Sequence, residues 1–152
     1  MRSFIEAVRR KAAVVYVGKV KEVRELERTK FDIKARAVVA VSAVARSPGA
    51  GPAEATVDYS SYDDKTPMLA GGPQYQLRPG EMVVIFADSF RNNAGYLIHG
   101  SRQELLERVT ALRDNLRKMS VDELKRNEIN EEDRQTQLAL YEKLRPQLEA
   151  HP

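Results

Sequence analysis

Along the first hundred residues the apolar positions recur mostly with a period of two, the spacing of strands that bury one face. In Ala13–Arg24 the apolar set falls at Val15 and Val17, then at Val20 and Val23, so the alternation slips twice. Gly18 stands at the first slip, where an interior glycine predicts a bulge or a sharp bend. Lys30–Ser47 is the longest strand candidate. Its odd positions, from Phe31 through Ala45, are all apolar, while its even positions begin polar (Asp32, Lys34, Arg36) and then turn apolar (Val38, Ala40, Val44). A strand well past the usual ~5–6 residues is expected to bend and serve two sides of a barrel or sandwich. After the Ser47–Pro52 loop, Ala53–Ser60 alternates cleanly and reads as a half-buried antiparallel strand. Pro79-Gly80 is a turn signal. Met82–Ala87 is apolar on both faces and reads as a central strand, followed by a turn at Ser89–Ala94 and a closing strand at Gly95–Gly100.

Past Gly100 the period changes to that of helices. Ser101 and Glu104 have the spacing of a capping box, as do Ser120 and Glu123. Leu105, Val109, Leu112, Leu116 and Met119 form one apolar stripe. Asn130 is placed to cap a last helix with Leu138, Tyr141, Leu144 and Leu148 on one side, and Pro146 should weaken or kink its end. A short amphipathic helix is also expected at Ser3–Val8, with Ser3 and Glu6 as its capping box. The predicted fold is α+β: a small, five- to six-stranded OB-like antiparallel β-barrel over residues 1–100, then a C-terminal helical hairpin over 101–152. The hairpin is expected to lie on the barrel or on a second subunit, the latter giving a homodimer.

The segments Val14–Val20, Phe31-Asp32-Ile33 and Leu77–Ala87, with Gly18 and Pro79-Gly80, resemble bacterial members of the netrin-like family over about residues 10–100. That family is related to the tissue inhibitors of metalloproteinases, and the resemblance implies their OB-type barrel. The animal inhibitors chelate the protease zinc through an N-terminal cysteine. This chain has no cysteine, so the resemblance carries a fold and no functional residue.

Composition narrows the functions. A chain of 152 residues, 42% hydrophobic and 31% charged, fits one globular domain with an appendage. The lack of cysteine excludes disulfides, thiolate zinc sites and a Cys nucleophile. No apolar run reaches the length of a membrane-spanning helix, and Met1–Glu6 has no h-region. Without a leader the chain is expected in the cytoplasm; a removed leader would make it an exported protein. No nucleophile elbow or phosphate loop is present, and His99 and His151 are the only histidines. The expectation is a non-enzymatic protein without cofactor or metal site. Asp63-Asp64 could join Asp58 or Asp88 around a hard cation, but a solvated turn is the simpler reading.

Two binding readings remain. The Ser61–Tyr75 loop exceeds the ~12–15 residues beyond which structureless loops are often functional. Tyr62, Asp63, Asp64, Met68 and Tyr75 are therefore the candidate contacts for a protein partner. The alternative is single-stranded nucleic acid. Residues 1–50 hold 12 Lys/Arg against 5 Asp/Glu, and residues 51–100 hold 3 against 6. Lys19, Lys21, Lys34 and Arg36 would track phosphates, with Tyr16, Phe31 or Tyr59 stacking on bases. The alternation puts Phe31 on one face with Ile33 and Ala35, and Tyr59 with Val57, so both are expected in the core.

Overall fold

The computed structural model describes residues 9–67, 73–91 and 94–149. The expected Ser3–Val8 helix and the candidate residue Met68 lie outside these; residues 9–11 are helical. Five strands follow, β1 (Val14–Arg28), β2 (Ile33–Arg46), β3 (Glu54–Ser61), β4 (Met82–Ala87) and β5 (Ala94–Gly100). They form one antiparallel sheet in the order β3-β2-β1-β4-β5. The helices are α1 (Arg102–Lys118), α2 (Val121–Arg126) and α3 (Glu131–Glu149). The architecture is α+β, with an open sheet. No ladder joins β3 to β5, so the closed barrel expected from the strand pattern is not what the hydrogen bonds describe.

The sheet has a core on each face. Val15 and Val17 of β1, Val84 and Phe86 of β4, and Ile98 of β5 pack with Leu105, Val109, Leu116, Tyr141, Leu144 and Leu148 of the helices. The alternate residues Val14, Tyr16, Val83, Ile85 and Leu97 join Ala35, Ala37, Val39, Val57 and Tyr59 on the other face. Every side chain of β4 is buried, as a strand with cores on both sides requires.

The long β1–β2 pair is irregular where its alternation slips. Its register shifts at four places, one of them between Val17 and Gly18. Ala35–Val39 serve one core, and Ala43 and Ala45 serve the other. The β1–β4 ladder ends at Lys19, Val20 still bonds to Gly80 and Glu81, and beyond it β1 pairs with β2 alone. There β2 stays paired with β3 back to Ile33 opposite Ser61, so this end of the sheet is three-stranded, and only the turn at 29–32 extends past the ladders.

The segment before β4 packs into the gap between the two edge strands. Tyr75 donates its backbone N–H to the Ser60 carbonyl of β3 (2.8 Å). Its hydroxyl accepts from the Leu97 N–H of β5 (3.4 Å), and Leu77 is buried. At the other end of β3, the Thr56 N–H donates to the Phe90 carbonyl (3.0 Å).

Both capping boxes are formed, at Ser101/Glu104 and Ser120/Glu123. Asn130 Oδ1 accepts from the Asp133 N–H (2.7 Å). Helix α3 continues past Pro146 to Glu149. Arg46 fastens the N-terminal residues to α3: its Nη1 donates to the Arg10 and Ala12 carbonyls (3.1 and 3.0 Å), and its Nη2 to Gln137 Oε1 (3.3 Å).

Candidate functional site

The β1–β2 hairpin ends in a tight turn. The Thr29 N–H donates to the Asp32 carbonyl (2.8 Å), and Thr29 Oγ1 accepts from the N–H groups of Phe31 (3.3 Å) and Asp32 (3.1 Å). This turn holds Phe31 out to solvent, 62% exposed, against the expectation of a core residue. The reason is local. The strand begins at Ile33, so Phe31 belongs to the turn and the alternation of β2 does not reach it. Lys30 Nζ lies 5.6 Å from the Phe31 ring centroid. Leu26, 44% exposed, stands on the same hairpin.

Leu26 also borders a groove of about 630 Å³ between the hairpin and the two sheet edges. Tyr59, Tyr75 and Pro73 supply its aromatic and apolar walls, and Ala94 and Gly95 of β5 border it opposite Asp58 of β3. The Tyr59 hydroxyl accepts from the Leu77 backbone, but burial prevails and pushes its pKa up to about 12. Burial raises that of Tyr75 as well.

The candidate loop residues separate in space. Tyr75 is half-buried, bonded to both edges, and lines the groove. Tyr62 is half-buried, and its carbonyl accepts from Gln76 Nε2 (3.3 Å). Asp63 is consumed by structure. It receives Arg28 Nη2 at 2.7 Å and Nη1 at 3.3 Å, and accepts from the Lys65 and Thr66 N–H groups (3.0 and 2.8 Å). The Arg28 guanidinium, then the backbone N–H groups, hold its carboxyl far below the usual carboxylate range. Asp64 is exposed, beside Arg28 and Asp63 in a shallow recess. Among the described residues no group of three His, Asp or Glu gathers as a metal would need.

The basic residues are paired in turn. Lys21 meets Glu54 (2.7 Å), Arg36 grips Asp58 through Nε and Nη2 (2.7 and 3.0 Å), and Lys34 meets Asp32 (3.0 Å). Of the four proposed phosphate contacts, only Lys19 has no ion pair among the described residues. The sequence imbalance between the first and second thirds is thus offset in part: Glu54, Asp58 and Asp63 answer Lys21, Arg36 and Arg28.

His99 sits near the end of β5, half-buried, with Nδ1 3.0 Å from Glu81 Oε2. Glu81 Oε1 accepts from the Arg78 N–H (2.7 Å), which fixes the Pro79-Gly80 turn.

Sequence reasoning missed Leu26 and Phe31 as surface features. The signal available was Thr29, a hydroxyl residue that competes with strand pairing by closing a local turn. No protein-family model matches the chain, and no curated protein matches it.

Proposed function

We propose that the chain is a non-enzymatic protein-interaction module that presents the β1–β2 hairpin tip and the groove beside it. The observation that carries this is Phe31, exposed on a hydrogen-bonded turn with Leu26 on the same hairpin. Exposed apolar residues are ordinary singly. A large exposed aromatic on a hydrogen-bonded turn, on the same hairpin as the groove-lining Leu26, is the geometry of a binding anchor, because the backbone that carries it is already ordered.

The strand order supports reading the open sheet as an OB-like, netrin-like barrel. A five-stranded Greek-key barrel has this order when its β3–β5 seam lacks a ladder, and Tyr75 and Phe90 cover the outer edge of β3 at that seam. The resemblance supplies a scaffold and no activity.

Single-stranded nucleic acid is the second reading, favoured by Lys30 lying over Phe31. Against it stands the pairing of Lys21, Lys34 and Arg36 with carboxylates.

A photo-crosslinking amino acid at position 31, in the full chain expressed in its own cell, separates the two. We expect a discrete protein adduct that is absent when the crosslinker stands at Arg108, on α1. Adducts to RNA or DNA, with salt-sensitive binding of labelled single strands in anisotropy, would install the second reading. No adduct to either class would overturn both.

A further inference from the structure

The groove lies where the outer edge of β3 is only partly covered. Register is unbroken along β2–β3, so alternate residues of β3 direct their backbone groups away from β2. Thr56 and Ser60 belong to this outward set, since Thr56 donates to Phe90 and Ser60 accepts from Tyr75. Asp58 lies midway between them. Its N–H and C=O therefore face the groove, and among the described residues nothing pairs with them. An edge with open backbone groups takes an extended chain by adding a strand.

The charges bordering the groove indicate what that chain would carry. Lys34 is paired with Asp32, and the Asp58 carboxylate with Arg36. Glu27 borders the groove, exposed and without an ion pair among the described residues. The apolar wall is Leu26, Pro73 and Tyr75.

We propose that this groove binds an extended peptide segment of a partner protein. The segment pairs its backbone with Asp58, lays an apolar side chain against Leu26 and Tyr75, and sets a Lys or Arg beside Glu27. This deepens the interaction reading above and rests on it.

The test is selection of phage-displayed random dodecapeptides on the immobilised full chain, followed by a synthetic peptide of the enriched sequence. Enriched peptides should carry Lys or Arg close to an apolar residue. Amide exchange at Asp58 in the unmodified protein should slow when the peptide is added. Glu27→Lys should weaken binding about tenfold or more, the scale of an interfacial charge reversal. Asp58→Asn keeps the N–H and should bind, whereas Asp58→Pro lacks it, is tolerated on an edge strand, and should not. Failure to enrich any sequence, or unchanged Asp58 exchange in the complex, would overturn the proposal. Asp58 exchange that slows as protein concentration rises, without peptide, would assign the groove to a second copy of this chain and also overturn it. A crosslink from position 31 that survives in Asp58→Pro and Glu27→Lys would sink strand pairing while leaving the hairpin reading intact.

Discussion

A methyl group at Gly18 would collide with Val39 Cγ1 and come within 2.5 Å of the Ala40 carbonyl oxygen. Here β1 shifts register against β2 and approaches it too closely for any side chain. We expect Gly18→Ala to destabilise the protein by about 1–3 kcal/mol, the range for overpacking a well-filled core. A lowered urea midpoint with unchanged slope would register it; an unchanged midpoint would mean that the strands part at no cost. Sequence showed the slip at Gly18, because alternation is a local property. It could not show the collision, since Val39 and Ala40 reach Gly18 only through pairing. Phe31 was misread for a related reason. The Phe31 alternation was continued two residues past the strand, into a turn that Thr29 closes. The ion pair that holds Asp63 was equally out of sight, since Arg28 lies 35 residues away in sequence.

Elements that report their own ends were legible. Met82–Ala87 was read to the residue because a strand buried on both faces has no polar position to blur it. Both serine capping boxes were read from sequence because their hydrogen bonds close within four residues. The boundaries of β1 and β2 were less legible, since the outer half of β1 is solvent-exposed and has no core to set its period. The two caps should differ in consequence although they match in geometry. Ser101→Ala and Ser120→Ala each remove one acceptor, worth about 1 kcal/mol at a helix N-terminus. Helix α1 spans 17 residues and carries buried Leu105, Val109 and Leu116, so it should persist with lowered global stability. Helix α2 has six residues and one buried side chain, Leu124. Its loss of cap should appear as local fraying, read as faster amide exchange at Leu124 and Asn127 with a smaller change in melting temperature. Equal global losses from both would contradict this.

At the scale of the whole molecule, the helices complete the fold of the sheet. Val15, Val17, Val84, Phe86 and Ile98 are each at most 1% exposed, and all five pack in the core that the helices share. Full burial of such a side chain contributes ~1.5–3 kcal/mol. Five of them together reach the order of the entire stability of a domain, ~5–15 kcal/mol. The opposite face keeps its own core of Tyr16, Val39, Val57, Val83, Ile85 and Leu97 without help from the helices. The question is therefore whether one face suffices. A chain ending at Gly100 would expose the first set as one apolar patch across β1, β4 and β5, the kind that drives association. It would also lose the Gln137 acceptor that helps Arg46 hold residues 10–12 against the sheet. We expect that fragment to aggregate, or to unfold without a cooperative transition, while the full chain melts in one. A truncated chain that stays monomeric in size-exclusion chromatography and melts at the full chain's temperature would show that the core on the opposite face alone specifies the sheet. The helices would then be free to serve a partner.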